Sequence, residues 1–236
     1  MKLPGIDPQT RRMLWKLKNR LLQPILWGNM RSVTPKSRNF GVQRGTPVDR
    51  YYIEGFLEEH KSDIRGFGLE IASDAYLRRF GGSAIERTDV LSIAAGPGVT
   101  IVGDMTLPET LPSEQYDCIV LTQTLQFIYD FRGALDSIFA ALKPGGVLLI
   151  TVPGISQISD FDLKQSGDFW RFTHAALSRL LAEYVPADHL TVKSYGNVLA
   201  AVSFLHGVSR EELRDKELDY LDNHYEVTVA GRAVKP

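Results

Sequence analysis

The chain has 236 residues, 44% of them hydrophobic and 23% charged, with a formal net charge of −1. That is ordinary for a soluble globular protein and suits one large domain or a domain with an appendage. The single cysteine, Cys118, excludes an internal disulfide and a CxxC metal pattern, and no run approaches the roughly 18 apolar residues of a membrane span.

The near-neutral total hides an asymmetry. Residues 1–38 carry nine basic side chains against Asp7 alone, a net +8, so the remaining chain carries −9. RRMLWKLKNRLLQPILWG reads as a basic helix with Leu14, Leu17, Leu21 and Ile25 on one stripe, broken near Pro24. Gln23 and Pro24 interrupt its apolar run, against a signal peptide. The helix could lie on an anionic membrane or on a partner protein; the plainer reading straps it across its own domain. Residues 28–46, rich in Ser, Arg, Asn and Gly, read as a linker. The expected division is therefore a basic arm and linker over 1–46 and a domain over 47–236.

From Pro47 the pattern becomes regular. VDRYYIEGFLEEHKSDI suggests a helix with Tyr52, Ile53, Phe56 and Leu57 on its apolar face. GLEIA reads as a first strand, followed by a short helix that stops at Gly81-Gly82. AIERTDV, TIVGDM and DCIVLTQ read as the second, third and fourth strands. FRGALDSIFAALK is an amphipathic helix ended by Lys143-Pro144-Gly145-Gly146, and VLLITV is a strand covered on both faces. HAALSRLLAEYV is a helix, HLTVKSYGN a strand, REELRDKELDYLD a helix and HYEVTVAGRAV the last strand. Strands alternating with helices at this interval predict a mostly parallel sheet with right-handed crossovers. Cys118 falls inside a strand as a small core residue, which suits a reducing, cytoplasmic setting.

In an open α/β sheet the ligand lies beyond the carboxyl ends of the strands. After the first strand come Ser73 and Asp74, with Glu70 inside it. Asp89 is expected to end the second strand, nineteen positions beyond Glu70, close to the ~20-residue spacing at which a carboxylate reaches ribose hydroxyls. Asp104 is expected to end the third; Thr122, Gln123 and Thr124 follow the fourth, and Pro153, Gly154 and Ser156 the fifth. A lone aspartate at a strand end is usually a turn former or helix cap, but two in register point to a ligand.

LEIA, the carboxylates Asp89 and Asp104, YDCIVLTQTLQFIYD, LKPGGVLLITVPG and DFWRFTHAALSRLL together resemble a class I S-adenosylmethionine-dependent methyltransferase over roughly residues 48–236. The blocks RGTPVDRYYIE, TQTLQFIYD and PGISQI are similar to those of bacterial methyltransferase type 11-like proteins found alongside glycosyltransferases. The resemblance implies a Rossmann-like seven-stranded sheet, mostly parallel with an antiparallel last strand inserted between its neighbours. It implies S-adenosylmethionine as cofactor, with Asp89 and Val90 at the ribose and Asp104 and Met105 at the adenine. Glu70, Ala72 and Ser73 would face the methionine end, and Thr122, Gln123 and Thr124 would line the cofactor's other side. A small-molecule acceptor is expected, an oxygen of a sugar or glycosylated metabolite, with a glycosyltransferase as a candidate partner for the basic arm.

The chain departs from that pattern in GLEIASDAYLRRFGG, where the usual loop keeps glycines so that the backbone can approach the cofactor. Either the loop is rebuilt, with Ser73 or Asp74 capping the next helix, or the fold survives as a non-catalytic scaffold. His174, just after DFWRFT, is the histidine expected near the mouth and the candidate base. Tyr129, Gly154, Trp170 and Arg171 are the candidate substrate contacts; equally, Trp170 packs in the core and Arg171 pairs with Asp168. Asp160, Asp162 and Asp168 are too mixed in spacing for a metal site, and none is expected. IASDAYL lacks G-x-G-x-x-G, which argues against a nicotinamide dehydrogenase, and PGISQ fails the G-x-S-x-G pattern of a serine hydrolase. No aromatic reading surface accompanies the basic arm, against nucleic-acid binding.

Overall fold

The computed structural model describes residues 7–11, 13, 14, 18 and 28–236. These fall into two compact units, one ending at Pro35 and one spanning Lys36–Pro236. Of the expected basic helix, residues 8–11, 13, 14 and 18 are helical, whereas Leu17, Leu21, Pro24 and Ile25 lie outside the described residues. The stretch read as a linker is divided. Its later part belongs to the large unit, because Lys36 N–H donates to His206 O and Arg44 pairs with Glu212.

Seven strands form one sheet: β1 (Gly66–Ile71), β2 (Ile85–Ser92), β3 (Ile101–Val102), β4 (Tyr116–Thr122), β5 (Leu142–Pro153), β6 (Leu190–Tyr195) and β7 (Thr228–Val234). Their spatial order is β3-β2-β1-β4-β5-β7-β6. β1 to β5 pair in parallel, and β7 runs antiparallel to both β5 and β6. The order reverses between β1 and β4, and this is the switch point at which an open α/β sheet leaves a crevice.

The strands read as continuous apolar runs because both faces are covered. Along β4, Ile119 and Leu121 join one buried cluster with Leu135, Ile138 and Leu177, while Cys118 and Val120 join another with Ile53, Phe56 and Leu57. Successive side chains of a strand point to opposite faces, so one heptapeptide supplies both layers. Helix α1 (Val48–Glu59) buries Val48, Tyr52, Ile53, Phe56 and Leu57, the spacing of one helical face. Each such side chain contributes about 1.5–3 kcal/mol on burial. Helix α2 (Phe131–Ala141) is capped by Asp130, whose carboxylate accepts from Gly133 N–H at 3.0 Å.

Beyond it lie α3 (Asp160–Gln165), α4 (His174–Leu181), α5 (Val198–His206) and α6 (Asp215–Leu218). The sequence reading missed α5, whose VLAAVSFLH offers little contrast between faces. Its end signals are nonetheless plain: Asn197 accepts from Ala200 N–H at 2.9 Å, and Gly207 closes the helix in the left-handed conformation. The single helix expected over REELRDKELDYLD is instead a turn at Arg210–Glu212 and the short α6.

Candidate active site

The loop after β1 answers the question that its missing glycines raise. Ala72 has φ +64°, the left-handed conformation usually left to glycine, and its N–H donates to Leu91 O at 2.9 Å. The turn is kept with one methyl group added. Glu70, 5% exposed, turns its carboxylate onto the next turn of chain and accepts from Leu77 N–H at 2.9 Å and Tyr76 N–H at 3.3 Å. Burial pushes its pKa up to about 7 against the pull of those two N–H donors.

Ser73 Oγ accepts from Ala75 N–H, and Asp74 pairs with Arg78 and with Thr88 Oγ. Tyr76 packs on Phe80, and its hydroxyl accepts from Arg50 of α1 at 3.0 Å. That bond ties α1 to the loop.

Asp89 does not end β2, which continues to Ser92. In register it lies opposite Leu69, two residues short of the end of β1. Its carboxylate is buried and accepts from Thr100 Oγ1 at 2.9 Å and the Tyr116 hydroxyl at 3.0 Å. The carboxylate expected at the ribose is thus committed inside the sheet, and Ser92 occupies the strand end. Val90 beside it is buried, and Met105 packs in the core. Asp104 follows β3 in the expected place, with Oδ1 accepting from Thr106 N–H and hydroxyl, both at 2.9 Å.

Thr122 ends β4, and Thr124 Oγ1 donates back to its carbonyl at 3.0 Å. Gln123 sits at φ +47° with its N–H on Thr151 O at 2.8 Å. It opens into a groove of about 630 Å³ beyond the ends of β4 and β5, lined by Asp49, Arg50, Gln123, Gln126, Phe161 and Arg171 among others. Residues 38–50 form one wall and residues 153–171 the other. Of the expected cofactor contacts only Gln123 lines this groove, and of the expected substrate contacts only Arg171.

Arg171 is held by its own neighbours. Its guanidinium forms a two-pronged pair with Asp168 and donates to Gln157 O at 2.6 Å. Burial raises the Asp168 carboxyl pKa, but the Arg171 and Ser159 N–H bonds outweigh it and hold the group below its ordinary value. Trp170 packs against the core, donates Nε1–H to Ile128 O at 3.1 Å and stacks with Tyr129, 72% exposed, at 5.8 Å. Both rings stand outside the groove.

Gly154 and His174 line a separate depression, with Glu226 and His224. A side chain at Gly154 would meet Glu226 O at 2.1 Å, so glycine is required there for close packing. The His174 ring bonds Val192 O at 3.1 Å through Nε2, and the His174 backbone N–H donates to Glu226 Oε2 at 2.8 Å. The structure therefore does not bring His174 to the groove.

Asp160 pairs with Lys164, and Asp162 receives the Ser159 hydroxyl. Among the described residues no group of three His, Cys, Asp or Glu side chains is placed to hold a metal.

The groove residues that sequence reasoning missed are Asp49, Arg50 and Gln126. Asp49 Oδ1 is closed off from solvent without a hydrogen-bond partner among the described residues, and burial raises its pKa, the Arg50 charge offsetting only part. In the sequence it is one more acidic residue in the first turn of a helix, where the helix dipole alone accounts for it.

No curated protein matches the chain. Among solved structures it is similar to a SAM-dependent methyltransferase from Archaeoglobus fulgidus, at 12% identity and TM-score 0.51 over 79% of this chain and 94% of that one. A second is the 1,6-didemethyltoxoflavin-N1-methyltransferase of Burkholderia thailandensis, bound to 1,6-didemethyltoxoflavin and S-adenosylhomocysteine. There the identity is 14% and the TM-score 0.51, over 100% of this chain and 93% of that one. At such identities the likeness establishes the fold. A family model described as a methyltransferase domain matches residues 54–192, more than half of the chain. The chain belongs to that family, the S-adenosylmethionine-dependent methyltransferases.

Proposed function

We propose that the protein methylates a small polar acceptor, an oxygen of a sugar or glycosylated metabolite, held in the groove beyond β4 and β5. The observation that carries this reading is the groove itself. Its 630 Å³ suits a small molecule, and its lining sets the aromatic faces of Phe40, Phe127 and Phe161 beside the Gln157 amide. An aromatic face beside an amide matches a sugar ring, whose C–H face and hydroxyls need both.

The cofactor, when bound, supplies an electrophilic methyl group. Fit for it rests on the loop at Ala72, whose glycine-like backbone leaves the end of β1 approachable, and on Asp104, with one carboxylate oxygen engaged locally and the other without a hydrogen-bond partner among the described residues. The chain's own contribution is position and exclusion of water, and orientation of two reactants supplies up to roughly 7–11 kcal/mol of barrier reduction. The scaffold reading would be favoured by a blocked loop, but Tyr76 is drawn aside onto Phe80 and Arg50. We assign the basic arm, net +8 over residues 1–38, as the contact for a glycosyltransferase partner on its charge. A cytoplasmic setting is proposed on the single buried cysteine.

The test is transfer of tritiated methyl from S-adenosylmethionine to a panel of nucleotide sugars and glycosides, beside calorimetry with S-adenosylhomocysteine. Label is expected in a hydroxylated acceptor. Label appearing only in amines would overturn the oxygen assignment, and a protein that neither binds the nucleoside nor moves label is the scaffold.

A further inference from the structure

Among the described residues eight buried side-chain polar atoms lack a partner, and five of them are Asp49 Oδ1, Gln123 Nε2, Gln126 Oε1, Thr151 Oγ1 and Thr228 Oγ1. Gln123 and Gln126 follow β4, Thr151 lies opposite Thr122 at the end of β4, and Thr228 opposite Pro153 at the end of β5. Asp49, Gln123 and Gln126 all line the groove. Native chains pair nearly all such groups, so a cluster of orphans is a demand for a ligand.

The chemistry of the set narrows that ligand. Gln126 Nε2 donates to Gln123 Oε1 at 3.4 Å, which leaves Gln126 Oε1 as a free acceptor and Gln123 Nε2 as a free donor. Gln126 is 4% exposed. Asp49 Oδ1 adds an anionic acceptor, and Arg50 adds a cation to the same lining, one guanidinium nitrogen already held by Tyr76. A zwitterion satisfies both signs at once: an ammonium for Asp49 and Gln126, a carboxylate for Gln123 and Arg50.

The Arg50–Tyr76 bond ties one member of this set to the segment after β1, and Gln123 and Gln126 follow β4, the strand beside β1 at the switch point of the sheet. Glu70, the carboxylate otherwise expected at the methionine end, is engaged by two backbone N–H groups. We infer that Asp49, with Gln126, receives the α-ammonium of the cofactor's amino-acid end, with Gln123 and Arg50 at its carboxylate. The inference rests on the methyltransferase reading and assigns to α1 the recognition that the sequence pattern gave to Glu70.

Calorimetry with the full chain tests it, using S-adenosylhomocysteine and 5′-methylthioadenosine, which lacks the amino-acid end. The wild-type protein is expected to bind S-adenosylhomocysteine the more tightly. Asp49→Asn, an isosteric change, should weaken S-adenosylhomocysteine about tenfold, the scale of one hydrogen bond to a charged group, and leave 5′-methylthioadenosine unchanged. Gln126→Leu should act in the same direction. Thermal melts without ligand should show Asp49→Asn folded, since the change is isosteric. Equal affinity of wild type and Asp49→Asn for S-adenosylhomocysteine, or equal loss of both ligands, overturns the inference while leaving the methyltransferase reading intact. A wild-type protein that binds neither nucleoside overturns the reading and the inference together.

Discussion

Replacing Glu70 by glutamine isolates what the buried carboxyl does to stability. The group is 5% exposed, and burial carries its pKa from 4.5 to about 7 although two backbone N–H groups favour the ionised form. In the unfolded chain it titrates at its ordinary value. Below about pH 4.5 it is protonated in both states and costs nothing. Between that pH and 7 the unfolded chain ionises first while the folded chain keeps its proton, so stability falls as pH rises. Above 7 the loss is complete.

A shift of this size corresponds to about 3 kcal/mol. Glu70→Gln cannot ionise, so the stability of the variant relative to wild type should rise by about that much between pH 4.5 and 7.5. In urea this is a relative midpoint change of about 1 M for a domain of this size. Half-buried His60, whose pKa is lowered by burial, is present in both proteins and cancels in the difference. Equilibrium urea unfolding of both proteins at four pH values from 4.5 to 7.5 measures it. A difference constant across that range would refute the reasoning and show that the two N–H bonds, not burial, govern the carboxyl.

Two further outcomes follow from the site. Asp89→Ala strands the fully buried Tyr116 hydroxyl, while exposed Thr100 keeps its bond from Val90 N–H, and should lower unfolding stability by about 1–3 kcal/mol, the cost of one orphaned group; chemical denaturation reads this, and an unchanged midpoint would return Asp89 to a ligand-facing role. Ala72→Gly relieves a left-handed alanine and should raise stability by up to about 1 kcal/mol, whereas Ala72→Val places a β-branched side chain at φ +64° and should lower it; thermal melts giving the opposite order would show that the loop does not hold this conformation.

Local pattern was enough for the sheet. Alternating helices and strands, the apolar VLLITV and the LKPGG turn are consequences of covering both faces of a parallel sheet, and each is written in a few consecutive residues. The expected antiparallel last strand came from resemblance, and it stands between β5 and β6. The site was less visible. Asp89 reads as a strand end in AIERTDV, but Val90 and Leu91 beyond it still pair with β1, and the carboxylate is held by Tyr116.

Asp49 shows the reverse case. It lies in a helix start remote in sequence from the β4 loop, and only packing encloses its oxygen beside Gln123 and Gln126. Trp170 and Arg171 stand in a motif that suggests a substrate wall, yet the Ile128 carbonyl and the Asp168 carboxylate hold them. By itself the sequence determined the seven strands and the helices α1, α2 and α4, because periodicity is a property of neighbours along the chain. Only the tertiary structure decided which charges are paired and which stand open to a ligand, because pairing depends on strand register and helix docking between residues far apart in the sequence.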